Sequence, residues 1–315
     1  MANETTTTTA NDITYSAVIE PVLMAVAADV AEFMPMAREF NIINRPSNAV
    51  DVPRPQTNWG TPPDDGAGVD TEYDATQATS LSNTSWGTDK VTGTATEYGA
   101  LFEITDNVIE DSVDGIDVLN AVESHMMTAL VMAINDDFCA LFAGLANSVG
   151  TSGVDATVAN FLAAQVGIRT RGWKAPDGVV YVIDNQQADD IEAQLISTNA
   201  AQAVFASAAD RLLGYAPAAN QGLTNGMIMS FRNYPVWATG LTDTANAGAD
   251  VVGACFTPAG PGNNPSATFG LVWKRLFRLE FDRDIAKRTT KAVLTARCAP
   301  FELTDPSGTK IVTDA

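Results

Sequence analysis

The chain has 315 residues, of which 46% are hydrophobic and 18% charged, and its formal net charge is −20. This length is enough for two or three units that each bury a core. A field this acidic excludes wrapping of nucleic acid through overall charge attraction. The cysteines Cys139, Cys255 and Cys298 are far apart and form no CxxC pair. This number and spacing of cysteines favours buried thiols in a reducing compartment over a disulfide framework or a zinc site.

The negative charge is concentrated in the first half of the chain. Residues 1–150 hold 4 Lys/Arg and 23 Asp/Glu, whereas residues 151–315 hold 14 and 15. Solubility in a saline habitat is one explanation. The first basic residue is Arg38, so the positive region of a signal peptide is missing, and no stretch reaches the ~20 uninterrupted apolar residues of a membrane span. We therefore expect no membrane association and assembly inside the producing cell.

The first third of the chain predicts an arm followed by a long hairpin. Residues 1–15 are polar and Thr-rich, as in a disordered tail, and residues 21–34 have the apolar spacing of a short helix. Residues 48–104 are rich in Pro and Gly, yet Tyr98, Ala100, Phe102 and Ile104 alternate with polar residues. We interpret this segment as two long strands joined by an irregular tip at residues 59–87; a disordered loop is the alternative. A covering neighbour would protect the exposed edges of such a hairpin.

Residues 117–144 predict one long helix. Their apolar residues recur at three- and four-residue steps, the pattern of one buried helix face. At 1.5 Å per residue the helix would be roughly 40 Å long. The residues of this face are Leu119, Val122, Met126, Leu130, Ile134, Phe138, Leu141 and Phe142.

The remainder predicts an α+β unit and then long strands. Val179–Ile183 is a continuous apolar run, typical of a strand buried on both faces. Short helices are predicted at residues 158–168 and 185–196. Further strands are predicted at residues 227–232, 235–238 and 250–256, and strand-like sequence dominates after residue 266.

No constellation of residues predicts catalysis, a cofactor or a metal. His125 is the only histidine, and a straight helix would hold it about 21 Å from Cys139, too far for a catalytic dyad. Adjacent acids such as Asp136 and Asp137 point apart on a helix, so they predict solvated groups. A phosphate-binding glycine motif is missing from the sequence.

Two groups of residues are candidate inter-subunit contacts. One lies in the hairpin and comprises Trp59, Trp86 and Lys90. The other belongs to a basic run between residues 274 and 291 and comprises Arg275, Arg278 and Arg283. Because acids are interleaved in this run, we prefer a charged face that meets the acidic half of a neighbouring copy; a nucleic-acid surface is the alternative.

The order of these parts resembles the major capsid proteins of tailed bacteriophages, the Hong Kong 97-like fold. The local sequences that support the resemblance are FEITDNVIEDS, VVYVIDNQQADDI, NYPVWAT with DVVGACF, and FGLVWKRLFRLEFDRD followed by KAVLTARCAPFEL. Together they cover roughly residues 48–305.

The resemblance implies an arm at residues 1–47, an extended hairpin (E-loop) at 48–104 and a peripheral domain with a spine helix at 105–148. It further implies an axial domain at 149–257 and return strands, shared by both domains, at 258–315. The implied function is non-enzymatic: pentamers and hexamers would form the icosahedral shell around a double-stranded DNA genome. The implied partners are further copies of the chain, a portal protein, scaffold or decoration proteins, and DNA bound weakly without sequence specificity. The implied location is the virion, after assembly in the host cytoplasm.

Three alternatives stay open at this point. An encapsulin-like bacterial nanocompartment would keep the fold and enclose a cargo enzyme. A soluble hydrolase using carboxylates would be a monomer or dimer with an acid-rich pocket. An extracellular adhesin is disfavoured by the missing signal.

Overall fold

A computed structural model describes residues 33–55, 88–107, 115–170, 178–200, 227–232, 234–259 and 267–315. The predicted tail and first helix of the arm, the tip of the hairpin and residues 108–114 lie outside this part. Three α-helices are described: α1 (Gly115–Ala140), α2 (Val158–Thr170) and α3 (Asn185–Ala200). The strands are β1 (Arg38–Asn41), β2 (Ala49–Pro55), β3 (Thr88–Thr94), β4 (Thr96–Thr105), β5 (Ser148–Val149), β6 (Val180–Asp184), β7 (Met227–Phe231), β8 (Tyr234–Thr239), β9 (Thr244–Ala245), β10 (Asp250–Phe256), β11 (Phe269–Asp284), β12 (Thr289–Glu302) and β13 (Gly308–Asp314).

A four-stranded sheet in the order β1-β11-β12-β4 is built from residues far apart in the chain. The strands β11 and β12 form a long antiparallel ribbon, and β4 joins β12 in antiparallel register from Thr289↔Thr105 to Cys298↔Thr96. On the other side β1 runs parallel to β11. Thus the sheet forms only when both ends of the chain contribute strands.

The long helix α1 packs against one face of this sheet. It runs from Gly115 to Ala140 and continues as a 3-10 helix at Leu141–Gly144, close to the predicted bounds. Its buried apolar residues repeat at the predicted steps and meet alternate residues of β12 such as Ala292, Leu294 and Ala296. The described buried apolar residues of the helix are Met126, Met127, Leu130, Val131, Ile134, Phe138 and Cys139.

Stacked and edge-to-face phenylalanines join α1 to both sheets. The ring of Phe138 lies 5.0 Å from that of Phe269 at the start of β11 and 6.0 Å from that of Phe256 at the end of β10. Phe142 is 5.9 Å from Phe256, and Phe33 stacks on Phe138 at 6.1 Å. These separations suit the attractive geometry of aromatic pairs, so one cluster fixes the helix to two sheets.

The second sheet has seven strands in the order β5-β13-β10-β6-β8-β7, with β9 paired to β10. The strand β6 is buried on both faces, as its sequence predicted. Val180 and Val182 face the core shared with α1, whereas Tyr181 and Ile183 face the core formed with α2 and α3. Parallel β6–β8 pairing accompanies antiparallel β6–β10 pairing, which agrees with the α+β prediction.

The hairpin differs from its prediction in one respect. The strands β2 and β3 pair antiparallel from Ala49↔Thr94 to Pro55↔Thr88, and β3 then ends. The alternating residues 98–104 belong instead to β4, which pairs with β12. The prediction that they form the second hairpin strand is wrong, because in the four-stranded sheet Tyr98 and Ala100 pack against the α1 core.

The base of the hairpin packs on the end of that sheet. Val50, Val52 and Val91 contact a small core that contains Phe301 and Val272. Within this contact Gly93 lies so close to Phe301 that an added Cβ would meet its ring carbons at 2.7 Å. The attachment therefore depends on a residue without a side chain. The division of the whole chain into arm, hairpin, peripheral and axial domains stays a prediction.

Among the described residues one helix, Val122–Gly144, could cross a membrane by length and composition, with a mean hydropathy of 1.4. Half of its most apolar window is buried inside the protein. That half is the face that packs on β4 and β12, as expected of a core helix.

Candidate subunit interface

One face of the four-stranded sheet is mostly polar and turned away from α1. We call it the outer face, and it consists of alternate residues of three strands in matching register. Glu103, Lys291 and Asp282 form one row across β4, β12 and β11, and the next row is Leu101, Val293 and Glu280. Beyond them lie Gly99, Thr295 and Arg278, then Glu97, Arg297 and Arg275.

Of the three predicted arginines, Arg275 and Arg278 lie on this face and Arg283 alternates to the other side of β11. Each binds an acid of its own chain. Arg275 contacts Glu97 at 2.6 Å, Arg278 contacts Glu280 at 2.7 Å and Arg283 contacts Asp106 at 3.0 Å. All are partly exposed, and such pairs typically contribute only about 0–1 kcal/mol. Glu97 and Asp106 belong to the acidic half of the chain, but they lie in the same copy as the arginines and not in a neighbouring copy. A role of these arginines between subunits stays a prediction.

Lys90 lies at the base of the hairpin, and its side chain is 67% exposed. Its ammonium group donates to Asp51 at 2.9 Å, and the hydroxyl of Thr92 donates to the other carboxylate oxygen at 2.6 Å. These hydrogen bonds, that of Thr92 first, lower the pKa of Asp51. Trp59 and Trp86 lie outside the described residues, so the proposed contacts at the hairpin tip stay predictions.

The titratable groups beneath the sheet do not form a reactive site. The Tyr98 hydroxyl donates to Asp137 on α1, and burial followed by this hydrogen bond raises the pKa of Tyr98. Burial also raises the pKa of Cys298 to about 12. A thiol with such a pKa stays protonated at neutral pH and is inert.

His125 is exposed on α1, whereas Glu123, two positions earlier on the same helix, is buried. Burial raises the pKa of Glu123 to about 7. Within the described ranges, no group of three or more His, Cys, Asp or Glu side chains could hold a metal ion.

Exposed apolar side chains are the feature that sequence patterns missed. Ile285 in the β11–β12 turn is 83% exposed, Leu101 on the edge strand β4 is 66% exposed and Met132 on α1 is 44% exposed. Ile285 lies among charged residues, whereas Leu101 and Met132 lie between residues of a predicted core face, so periodicity assigned none of them to a core. The signal available in the sequence was an apolar residue inside a charged run, as in DRDIAKR.

No family model matches the chain, and no curated protein matches its sequence. Solved structures match across almost the whole chain. The capsid of the cyanophage P-SCSP1u is 9% identical, with 90% of this chain and 88% of that chain covered at a TM-score of 0.60. The capsid of a native GTA particle is 13% identical, with 91% of each chain covered at a TM-score of 0.58.

A virus-like particle from Pyrococcus furiosus is 8% identical, with 94% of this chain and 99% of that chain covered at a TM-score of 0.56. Near-complete coverage in both directions means that the compared chains share their whole architecture and not one motif. The chain therefore has the Hong Kong 97-like fold of phage capsid proteins.

Proposed function

We propose that the chain is the major capsid protein of a tailed bacteriophage, and that its pentamers and hexamers form an icosahedral shell around double-stranded DNA. The observation that carries the proposal is the similarity to capsid subunits over about nine-tenths of both chains. The protein acts by binding copies of itself and catalyses no reaction. Its location is the virion.

The surface of the single chain supports this proposal. In the four-stranded sheet as described, β4 is an edge strand of ten residues, and its Leu101 is largely exposed. Open edges and exposed apolar side chains invite association, so monomers usually protect them. In a closed shell a neighbouring copy covers them, and the interfaces repeat by symmetry.

The other proposed partners follow from the function. The shell requires a portal for DNA entry, and scaffold or decoration proteins can bind it. Because the net charge is −20, we expect contact with packaged DNA to be weak and independent of sequence. This allows DNA to slide along the lumen. A charge map of the lumen of an assembled particle tests the point, and a strongly basic lumen contradicts it.

Expression of the full chain, followed by size exclusion and electron microscopy, tests the main proposal. Shells, rings or sheets of repeated subunits are expected. A stable monomer or dimer that never assembles contradicts it and favours the soluble alternative. Shells that enclose a host enzyme instead of DNA in the native particle would indicate a nanocompartment with the same fold.

A further inference from the structure

The turn between β11 and β12 presents one apolar residue between charges. We call residues Ile285, Ala286, Lys287 and Arg288 the 285–288 turn. Ile285 is 83% exposed, and the side chains of Lys287 and Arg288 are exposed beside it. Across the part of the chain that the structure describes, no ion pair involves either of these two cations, whereas Arg283 and Lys291 on the flanking strands each bind an acid.

The turn is held in place from both sides. Asp284 accepts hydrogen bonds from the backbone N–H groups of Ala286 at 3.1 Å and Lys287 at 3.2 Å. The N–H of Asp106 donates to the carbonyl of Arg288 at 3.0 Å. A surface segment fixed in this way loses little conformational entropy when it binds. The turn therefore has the properties of a preformed contact.

A second surface has the complementary properties. The outward face of α1, on the side opposite its core contacts, consists of Ala129, Met132, Ala133 and Asp136 at helical i, i+3, i+4 and i+7 positions, and all four are exposed. Two small residues flank the partly exposed Met132 and leave space for an apolar side chain. Asp136 lies one helical turn beyond Met132, about 6 Å along the axis. No ion pair in the described ranges involves Asp136.

We propose that the 285–288 turn of one subunit binds the outward face of α1 of a second copy. Ile285 packs against Met132 between the two alanines, and Lys287 and Arg288 pair with Asp136. The occupant is a second copy because the charges are complementary. The turn presents two cations, whereas the chain as a whole is strongly negative and presents Asp136 on its α1 face. This inference rests on the proposed function and names one of the contacts through which subunits join. The contact is heterologous, and its repetition around an axis forms a ring when the rotation between successive copies closes.

Cross-linking of the full chain tests the contact directly. Purified Ile285→Cys and Met132→Cys subunits are mixed, assembled and mildly oxidised. Because Cys139, Cys255 and Cys298 are buried, background linkage should be low. A two-chain product is expected only from the mixture, because bridged cysteines need Cα atoms within about 7 Å. A product from Ile285→Cys alone would show that turns meet each other, and it overturns the proposal.

Charge reversal provides an independent test that also controls for folding. Lys287→Glu with Arg288→Glu should lower the assembled fraction at fixed concentration about tenfold or more. Added Asp136→Lys should restore most of it, whereas Asp189→Lys, an acid reversal at an exposed site on α3, should not. Thermal unfolding of each unassembled variant identifies misfolding. If wild-type shells form while reversal has no effect, the proposal is wrong and the capsid function stands; if no wild-type particle forms, the function itself fails.

Discussion

At the scale of single residues, the core contains one acid that opposes folding when it ionises. Glu123 is 5% exposed and lies one helical turn before Met126 and Met127 on the buried side of α1. Burial raises its pKa to about 7. The folded chain therefore binds this proton more tightly than the unfolded chain does. The contribution of the protonated acid to the free energy of unfolding is fully present below pH 4.5, the ordinary pKa of a glutamic acid. It is lost as the pH rises through about 7.

We predict that Glu123→Gln removes this pH dependence and stabilises the subunit at pH 8. The gain in free energy of unfolding should be about 1–3 kcal/mol at pH 8 and near zero at pH 4, because the acid is then mostly protonated in both the folded and the unfolded state. Thermal and urea unfolding of unassembled subunits at both pH values measure it. Glu192→Gln, at a half-exposed position on α3, is the matched control. Equal effects of Glu123→Gln at both pH values would contradict the prediction.

A second residue-scale prediction concerns the close approach of the hairpin to Phe301. Gly93→Ala places a Cβ 2.7 Å from ring carbons of Phe301, so the ring or the strand must shift. We expect a loss of about 1–3 kcal/mol in unfolding free energy, as for other overpacked cores. Gly99→Ala on β4 is the control, because its Cβ would find the nearest atom at 3.7 Å. Comparable melting temperatures for the two variants would show that the hairpin base adapts freely.

At the scale of elements, the long helix and the buried strands were predictable, and strand partners were not. The apolar spacing in α1 and the run Val179–Ile183 follow from local periodicity, because burial on one or two faces leaves its trace in consecutive residues. The pairing of β4 with β12 and of β1 with β11 depends on residues more than 170 positions apart. Periodicity contains no information on such pairing. The exposed Ile285 and Met132 were missed for a related reason, because their proposed partners lie on a second copy of the chain.

The aromatic cluster gives the test of how far α1 joins the two sheets. Phe138→Ala should lower the unfolding free energy by about 3–5 kcal/mol, since it removes a buried ring with contacts on three elements. Leu276→Ala, at a side chain that is 44% exposed, should cost under about 1 kcal/mol. Urea unfolding of unassembled subunits measures both. A single shared transition is expected, and separate loss of one sheet in Phe138→Ala would show that the sheets are stable independently.

At the scale of the whole molecule, charge governs how subunits approach. Copies with a net charge of −20 repel each other beyond contact distance, and the Debye length falls from about 30 Å at 0.01 M to about 8 Å at 0.15 M salt. We predict that added NaCl over this range speeds assembly, as followed by light scattering at fixed subunit concentration. Salt also weakens the ion pairs of the proposed contact between the 285–288 turn and α1. These pairs form only after two subunits have met. Slower assembly at the higher salt would show that attraction between local charges dominates the rate.

The strand order also determines when a newly made chain can become a subunit. Both sheets are completed by residues 269–314: β11 and β12 lie at the centre of one, and β13 pairs with β10 and β5 in the other. On the ribosome, β1 and β4 must wait for partners made near the end of synthesis, and pairing over such separations is slow. A nascent chain therefore has no finished surface to offer its neighbours. The fold therefore delays the formation of an assembly-competent subunit until translation is almost complete.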